Sequence, residues 1–167
     1  MLRILIVLPT YNERENIAPM LEALLALPDQ VDVLVVDDNS PDGTWQYVEQ
    51  YMASHPEGRV HLLHRAGKQG LRSAYLAGFQ WGLERNYDYL CEIDCDFSHN
   101  PEDVTRLVAA CEEQHADLAI GSRYVSGVNV VNWPMGRIIM SYCASVYVRC
   151  ISGMPVRDAT AGFVCYR

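Results

Sequence analysis

The sequence lacks several features that would place it in common protein classes. No run of apolar residues approaches the roughly 18 that a membrane-spanning helix needs. Its six cysteines never show the C-x-x-C spacing of zinc sites, so we expect reduced, mostly buried thiols, as in a cytosolic protein. Lysine occurs once, at position 68, and the net charge of −8 argues against general nucleic-acid binding.

Several short catalytic and nucleotide-binding motifs are missing as well. No G-x-G-x-x-G follows the first predicted strand and there is no Walker lysine loop, which weighs against dinucleotide-binding and P-loop proteins. The G-x-S-x-G motif of α/β-hydrolases is absent, and no Cys and His stand out as a catalytic pair. Any chemistry must therefore come from other side chains.

The sequence does contain a regular alternation of apolar runs and amphipathic stretches. The pattern predicts strands at 3–8, 31–37, 60–65, 89–93 and 118–121, and helices at 16–27, 43–54, 71–86 and about 100–114. Asn100 is the predicted N-cap of the last helix, followed by Pro101 and two acidic residues. This alternation implies crossover connections and a largely parallel sheet, and hence an α/β fold.

The pattern is looser beyond residue 124. It predicts a loop at 125–135, a helix at 136–151 and a short strand within 158–166. The 167 residues, half of them hydrophobic, suffice for one domain with a full core, and no repeat or linker divides them. Because the chain opens directly into residues 2–8, which are apolar apart from Arg3, with no basic segment and cleavage site ahead of them, we expect no secretory signal.

Asp94 and Asp96 form the most informative pair of residues. They follow the apolar Tyr89 and Leu90 and precede a predicted helix. Alternation along a strand turns residues i and i+2 to the same side, so the two carboxylates are predicted to face one ligand. At the carboxyl end of a strand, such a pair can hold a hard divalent cation beside a phosphorylated ligand.

Polar segments follow four of the predicted strands, at 9–13, 37–40, 94–96 and 121–124. The carboxyl ends of parallel strands meet at one edge of the sheet, where ligands bind. The carboxylates expected at this edge are those of Glu13, Asp37, Asp38, Asp94 and Asp96. They would repel an anionic ligand unless Mg²⁺ or Mn²⁺ bridged the two.

Positive charge is concentrated in the carboxyl-terminal part of the chain. Residues 1–117 carry 8 basic and 20 acidic side chains, whereas residues 118–167 carry five arginines and only one acidic residue, Asp158. Arginine suits bidentate phosphate recognition, so this part is a candidate phosphate-binding region. A chance distribution of so few residues is the alternative.

Six segments match, in order, the motifs of a known family. They read PTYNERENI at 9–17, VVDDNSPDGT at 35–44, EIDCDFSHNPED at 92–103, GSRY at 121–124, NWPMGR at 132–137 and DATAGF at 158–163. The sequence thereby resembles the family 2 glycosyltransferases, and within them the dolichyl- and polyprenyl-phosphate mannosyltransferases. The match covers nearly the whole chain, and six motifs in order are far more specific than any single one.

The resemblance implies a nucleotide-diphosphosugar transferase fold of the GT-A type, a Rossmann-like three-layer sandwich. It implies an inverting, metal-dependent transfer of mannose from GDP-mannose to a polyprenyl (dolichyl) phosphate, with Mg²⁺ or Mn²⁺. The partners would be the nucleotide-sugar donor and a lipid acceptor at the cytoplasmic face of a membrane. Residues 1–167 would form one catalytic domain. Since family members continue further, we expect the domain to be truncated at its carboxyl terminus.

The resemblance also assigns roles by matched position. The donor nucleoside would contact Pro9, Tyr11, Glu13, Val36 and Asp38, and the diphosphate would lie along Asp94, Cys95 and Asp96. The metal would be held by Asp94, Asp96 and Ser98, where many relatives carry Gln at the last position. The acceptor phosphate would be bound by Arg123, Arg137 and Ser141, and the catalytic residues would be Asp96, Arg123 and Arg137. An anionic acceptor phosphate needs no strong general base, so positioning and charge neutralisation would suffice.

Two positions depart from the family pattern. Arg72 stands where relatives usually have Gly, so the preceding loop is expected to sit differently. Val164 stands where Arg is frequent, which removes one phosphate contact.

Some interpretations of single residues remain open at this point. We favour a bracing and helix-capping role for Asp37 and a ligand role for Asp38. His99 is predicted to be a surface or loop residue rather than a metal ligand. The loop at 67–70 is either a plain connection or part of the site. Trp133 and the helix at 136–151 are either core or, as we prefer, a wall near the acceptor lipid.

The function also has alternatives. A UDP-sugar could replace GDP-mannose as the donor of a glucosyl or aminosugar transferase, or the chain could be an inactive sugar-nucleotide binding module. A signalling receiver domain is excluded, because its acidic pair would follow the first strand, whereas Asp37 and Asp38 follow the second.

Overall fold

A six-stranded sheet lies at the centre of the molecule. The computed structural model describes residues 2–124 and 134–167, except for the side chain of Arg137. The strands are β1 (Ile4–Thr10), β2 (Val31–Asp37), β3 (Val60–His64), β4 (Tyr89–Glu92), β5 (Leu118–Ile120) and β6 (Val164–Tyr166). Their order across the sheet is β3-β2-β1-β4-β6-β5. The helices are α1 (Ile17–Leu25), α2 (Thr44–Ser54), α3 (Leu71–Leu83), α4 (Asp103–Gln114) and α5 (Met135–Ser152).

Four neighbouring strands, β3, β2, β1 and β4, run parallel. In β1 all seven residues are buried, as expected for a parallel strand that is covered on both faces. Ile4 pairs with Val31 on one side and with Tyr89 on the other, so β1 is the middle of the parallel part. The prediction of a mostly parallel sheet is confirmed.

The short strand β6 gives the sheet its mixed character. It lies between β4 and β5 and runs antiparallel to both, with Cys91 paired to Cys165 and Ala119 paired to Cys165. The predicted strand within 158–166 is confirmed for its last three residues, 164–166. Because β6 reverses direction, β5 runs in the same sense as β4, and its carboxyl end reaches the same edge of the sheet.

Helices cover both faces of the sheet and make three layers. One apolar core packs α1, α2 and α4 against strand residues such as Ile6, Leu8 and Val33. The other packs α3 against Leu5, Val7 and neighbouring strand residues. The predicted three-layer α/β sandwich is therefore confirmed.

Two glycines let α3 approach the sheet closely. A Cβ atom on Gly78 would lie 2.3 Å from Cγ1 of Val7, and one on Gly82 would lie 2.5 Å from Cδ2 of Leu90. Real Cβ atoms do not approach other atoms so closely, so only glycine permits this separation. The close approach brings Tyr75, one turn earlier on the helix, against the end of β4.

The start of α4 differs from the prediction. Asn100 is not its N-cap, because the helix begins at Asp103 and Glu102 occupies the capping position. Asn100 instead accepts a hydrogen bond from the backbone N–H of Glu102 through Oδ1 at 3.2 Å, which closes the preceding turn. The acidic residue expected in the first turn is present as Asp103. The helix α3 also ends at Leu83, three residues before the predicted end.

Helix α5 differs from an ordinary surface helix in which of its side chains are exposed. Its large apolar side chains point outward, with Met140 75%, Ile151 68% and Tyr147 66% exposed, whereas Ser145 is buried. A core role for this helix is therefore wrong. Trp133 and nearly all of the predicted loop at 125–135 lie outside the described residues. Among the helices of the described residues, none is both long enough and apolar enough to cross a membrane.

Candidate active site

The loops after β1 and β2 are joined by a ladder of hydrogen bonds. The backbone N–H groups of Asn12, Glu13 and Arg14 donate in turn to Ser40 Oγ at 3.0 Å, Thr44 Oγ1 at 3.1 Å and Asp42 Oδ2 at 3.0 Å. The backbone N–H groups after β1 are thus hydrogen-bonded to side chains that follow β2, although they are not part of a helix or a strand. The ladder fixes the positions of Tyr11 and Glu13 at the sheet edge.

Asp37 braces this edge from below. It is fully buried, and its carboxylate accepts hydrogen bonds from Thr10 Oγ1 at 2.7 Å, Ser40 Oγ at 2.7 Å and the Ser40 N–H at 2.8 Å. The predicted bracing role is confirmed. The predicted capping role is wrong, because Asp42 makes the bond to the Thr44 N–H at the start of α2, at 3.0 Å.

Asp38 holds the loop at 67–70 against the sheet. One of its carboxylate oxygens forms an ion pair with Arg65, and the other accepts hydrogen bonds from the N–H groups of Gln69 at 3.0 Å and Gly70 at 3.3 Å. Both Asp38 and Arg65 have nearly buried side chains. The loop is therefore built into the site rather than being a plain connection, and Arg65 is a site residue that the sequence did not reveal.

Asp94 is held in one orientation just beyond the end of β4. Its Oδ1 accepts a hydrogen bond from the Tyr75 hydroxyl at 2.9 Å, and its Oδ2 lies beside Gly162, where a Cβ atom would be 3.3 Å away. Burial is the main cause that raises the pKa of the Asp94 carboxyl; the bond from Tyr75 lowers it and the charge of Asp96 raises it again. A nearby cation would offset that cost of burial.

Asp96 lies two residues further along a tight turn. Phe97 adopts a left-handed backbone conformation with φ of 56°, and Asp96 Oδ1 accepts a hydrogen bond from the Ser98 N–H at 2.9 Å. Asp96 is exposed, unlike Asp94. The role of Ser98 as a metal ligand stays a prediction, since the contact that it makes to Asp96 is through its backbone.

One pocket at the sheet edge, here called the edge pocket, collects most of the predicted donor residues. It is lined by Pro9, Thr10, Tyr11, Glu13, Asp38, Lys68, Gly70, Leu71, Ala74, Asp94, Cys95 and Asp96. Asp94 and Asp96 thus face the same space, as predicted. Val36 does not line it, because its side chain is fully buried in the core beneath α3.

The edge pocket carries an excess of negative charge. Four carboxylates line it, and Arg65 neutralises one of them, Asp38. The opposing cation in the lining is Lys68, whose Nζ lies 3.9 Å from the centre of the Tyr11 ring. A diphosphate would therefore be repelled here unless a cation accompanied it.

The donor set of the pocket fits a divalent cation that is shared with a ligand. Within residues 2–124 and 134–167, no three His, Cys, Asp or Glu side chains converge as a complete metal cage. Two carboxylates, from Asp94 and Asp96, do line one space. Magnesium and similar hard cations are commonly bound through one or two carboxylates, with phosphate oxygens and waters as the remaining ligands.

Arg123 and Ser141 belong to a second cluster at the same edge, organised by Asp158. The Arg123 guanidinium donates from Nε to Asp158 Oδ2 at 2.8 Å and from Nη2 to Oδ1 at 2.7 Å. Thr160 Oγ1 lies 2.8 Å from Arg123 Nη2 and 3.1 Å from Ser141 Oγ, which connects the arginine to α5. The structure thus brings two of the three predicted acceptor residues together, while the side chain of Arg137 lies outside the described residues.

The segment at 158–163 joins the two clusters. Phe163 packs under Gly121, where a Cβ atom would be 2.3 Å from the ring, and stacks on His99 with ring centroids 5.1 Å apart. His99 lies in the loop after β4 as expected, but it is half-buried rather than on the surface, and burial lowers its pKa. Together with Gly162 beside Asp94, these contacts connect the loop after β4 and the end of β5 to the segment that carries Asp158.

Solved structures of other proteins share this fold. A mannosyltransferase from Pyrobaculum calidifontis, in complex with GDP-Man and Mn²⁺, superposes with a TM-score of 0.64 at 17% identity, over 98% of this chain and 44% of that one. Glucosyl-3-phosphoglycerate synthase from Mycobacterium tuberculosis, in complex with Mn²⁺, UDP and glucosyl-3-phosphoglycerate, gives a TM-score of 0.66 at 18% identity, over 98% and 56%. These similarities confirm the predicted GT-A fold.

Curated relatives are closer in sequence. The chain is 48% identical to polyprenol monophosphomannose synthase of Mycolicibacterium smegmatis and 48% identical to undecaprenyl-phosphate mannosyltransferase of Micrococcus luteus. It is 34% identical to dolichol-phosphate mannosyltransferase of Pyrococcus furiosus. Each alignment covers 99% of this chain, but only 62%, 67% and 46% of those proteins, which are longer.

The similarity extends to a whole family. The family model described as glycosyl transferase family 2 matches residues 5–166, which include every strand from β2 to β6 and both clusters at the sheet edge. With its GT-A sandwich and its paired aspartates beyond β4, the chain belongs to glycosyl transferase family 2.

Proposed function

We propose that this chain is the catalytic domain of an enzyme that transfers mannose from GDP-mannose to a polyprenyl phosphate, with inversion at the anomeric carbon. The observation that carries the proposal is the edge pocket, in which Asp94 and Asp96 face the same space as Tyr11, Glu13 and Asp38. The names of the relatives at 48% identity support mannose as the sugar and a polyprenyl phosphate as the acceptor.

The donor would occupy the edge pocket. Its nucleoside would lie against Pro9 at the end of β1 and against Tyr11 and Glu13, whose positions are fixed by the hydrogen-bond ladder between the first two loops. Its diphosphate would lie along Asp94 to Asp96. Bound Mg²⁺ or Mn²⁺ would supply charge neutralisation for the diphosphate, both in the ground state and as it departs. Lys68, the cation in the pocket lining, would add to the neutralisation.

The acceptor phosphate would be positioned by Arg123, Arg137 and Ser141. Asp158 and Thr160 fix the plane of the Arg123 guanidinium, and Thr160 also contacts Ser141, so two of these groups are preorganised in the same network. A preorganised arginine loses little entropy when it binds a phosphate oxygen. Because the acceptor is already anionic, aiming its oxygen at the anomeric carbon would be the main catalytic task.

The outer face of α5 supports a lipid acceptor at a membrane surface. Its exposed residues include Met135, Ile139, Met140, Tyr142, Tyr147 and Ile151. Between 134 and 157 the sequence has three arginines and no acidic residue. Amphipathic helices with apolar and basic residues of this kind lie in the interface of bilayers with anionic lipids. Contact through α5 would place Ser141 and Arg123 near the lipid headgroups.

A transfer assay tests the proposal. The chain, and a version extended to the length of its relatives, would be incubated with radiolabelled GDP-mannose, a short-chain polyprenyl phosphate and Mn²⁺, and the lipid product would be extracted. We expect mannosyl lipid from GDP-mannose, and its loss in Asp94→Asn and Asp96→Asn. The matched control is Asp88→Asn, a carboxylate at the opposite end of β4 that is hydrogen-bonded to the Arg3 N–H.

Two results would contradict the proposal. A product from UDP-glucose but not from GDP-mannose would establish the rival glucosyl or aminosugar transferase. Donor binding by calorimetry without transfer, in both the chain and the extended version, would establish a sugar-nucleotide binding module.

A further inference from the structure

The carboxylate of Asp94 is constrained on both of its oxygens. The Tyr75 hydroxyl donates to Oδ1 at 2.9 Å, while Oδ2 faces Gly162, whose missing side chain leaves room for it. Oδ1 already accepts a hydrogen bond, whereas Oδ2 lies beside a residue without a side chain, so Oδ2 is the oxygen that a further partner can reach. The arrangement is therefore directional, unlike that of a solvated surface carboxylate.

The position of Tyr75 is set by the core and not by the pocket. Its side chain is buried beneath the sheet, with its ring 6.2 Å from that of Phe79, and Gly78 lets the helix lie against Val7. A ring packed in this way keeps its hydroxyl at one place, since close-packed cores allow little side-chain motion. The hydroxyl can thus hold Asp94 without being displaced itself.

Other tyrosines of this fold make the same kind of bond without facing the pocket. Tyr87 donates to Asp32 Oδ2 at 2.6 Å, and Tyr166 donates to Glu92 Oε1 at 3.1 Å. Neither Asp32 nor Glu92 lines the edge pocket, whereas Asp94 does. The Tyr75 hydrogen bond is thus of the same chemical type as the other two, and it differs from them because its acceptor lines the edge pocket.

We infer that Tyr75 is a positioning residue. Together with Gly162, it orients Asp94 so that Oδ2 of the carboxylate can ligate the divalent cation. The inference rests on the proposed function, in which Asp94 and Asp96 hold that cation. Partners that hydrogen-bond a metal ligand fix its orientation, and their loss typically weakens metal binding about 10- to 100-fold. Tyr75 would act through Asp94 and would not touch the reacting atoms.

The test is a titration of Mn²⁺ binding, followed by the electron paramagnetic resonance signal of free Mn²⁺ in the presence of GDP. We expect Tyr75→Phe to weaken Mn²⁺ binding about tenfold, because Asp94 loses the bond that fixes it. The matched control is Tyr87→Phe, which removes an equivalent hydroxyl from the same apolar core and should leave Mn²⁺ affinity unchanged. Circular dichroism and the melting temperature would verify that both variants are folded.

A second variant tests the other oxygen. Gly162→Ala places a Cβ atom 3.3 Å from Oδ2 and should weaken Mn²⁺ binding by a similar factor. Gly136→Ala is its control, since a Cβ atom at that position meets no atom within 4 Å. This arm does not depend on whether Tyr75→Phe folds.

The outcomes separate the inference from the proposed function. Wild-type affinity in both Tyr75→Phe and Gly162→Ala, with GDP-dependent Mn²⁺ binding intact, would overturn the inference alone. Absence of GDP-dependent Mn²⁺ binding in the wild-type chain would overturn both. Weaker binding in the two variants, with both controls unchanged, would support the inference.

Discussion

Arg123 and Asp158 form a buried, bidentate ion pair whose two hydrogen bonds measure 2.8 and 2.7 Å. The side chain of Asp158 is 0% exposed and that of Arg123 is 9% exposed. The Arg123 N–H also donates to the same carboxylate at 3.0 Å, so one aspartate organises both the backbone and the side chain of the arginine. The pair therefore links a structural anchor to a residue proposed to bind phosphate.

Removing Asp158 should destabilise the fold strongly. In Asp158→Ala the buried guanidinium loses its counter-charge, and breaking such a pair costs about 3–5 kcal/mol of unfolding free energy. Chemical denaturation would measure the loss. Glu84→Ala is the control, because its ion pair with Arg85 is exposed and worth about 0–1 kcal/mol. Equal effects of the two variants would show that the buried pair adds nothing.

The same pair should make stability depend on pH in the acid range. Burial by itself raises the pKa of Asp158, but the hydrogen bonds from Arg123 outweigh it and lower the pKa below its ordinary value. Because the pKa is lower in the folded state, ionised Asp158 stabilises the protein at pH values above the unfolded-state pKa of about 3.9. This contribution to stability is lost as pH falls toward the folded-state pKa. We expect the unfolding free energy to decline below about pH 4, and to decline less in Asp158→Asn. Parallel pH curves for the two proteins would contradict the assignment.

The loop at 67–70 should loosen when Arg65 is removed. In Arg65→Ala, Asp38 keeps a nearly buried charge without its ion pair, so it would turn to solvent and release the N–H groups of Gln69 and Gly70. Hydrogen bonds to charged groups are worth about 1.5–3 kcal/mol, so amide exchange at these two positions should accelerate at least about tenfold. Mass spectrometry or NMR would follow it. Arg106→Ala, which loses only an exposed pair with Asp103, should leave exchange there unchanged.

The close packing of α3 should make Gly78 intolerant of any side chain. A methyl group at this position would overlap Val7, and overpacking of this kind costs about 1–3 kcal/mol. Thermal denaturation of Gly78→Ala would show the loss. Gly136→Ala, in open space on α5, should be neutral or slightly stabilising, because alanine favours helix over glycine by about 1 kcal/mol. A melting temperature of Gly78→Ala equal to that of the wild type would mean that α3 can shift.

The outer face of α5 should bind lipid vesicles. In a double variant, Ile139→Gln with Ile151→Gln, affinity for vesicles containing anionic phosphatidylglycerol, measured by co-sedimentation, should fall at least about a hundredfold, since each buried apolar side chain contributes about 1.5–3 kcal/mol. Leu76→Gln with Leu83→Gln is the matched control, because these residues are as exposed on α3. Wild-type vesicle binding by the α5 variant would contradict the proposed membrane contact. So would the finding that the wild-type chain forms a dimer and that the α5 variant does not, since α5 would then be a dimer interface.

Local sequence patterns predicted most of the parallel half of the fold. The strand predicted at 31–37 is β2 at Val31–Asp37, because a run of β-branched residues that is buried on both faces reads the same in sequence and in structure. The insertion of β6 between β4 and β5 was not predictable in this way. Its pairing joins Leu90 to Tyr166, and no local pattern specifies which distant strand a short segment will join.

The parts of the candidate site that follow from the strand pattern alone were predictable. The contacts between residues that are distant in sequence were not. The carboxylates of the edge pocket follow from their place after each strand. Arg65 and Tyr75 were missed because their partners, Asp38 and Asp94, are 27 and 19 residues away. A signal existed in each case: Arg65 directly follows β3, beside the strand that ends in the acidic pair, and Tyr75 shares a helix face with Gly78.

The place of β6 also determines when this half of the sheet can close during synthesis on the ribosome. Among the described strands, β5 pairs only with β6, and β4 has one side unpaired until β6 arrives. Residues 164–166 must therefore emerge before that half of the sheet can close, and the nascent chain carries an open strand edge until then. Arg123 lies 35 residues before Asp158, so the ion pair between them likewise cannot form until the segment that precedes β6 has emerged.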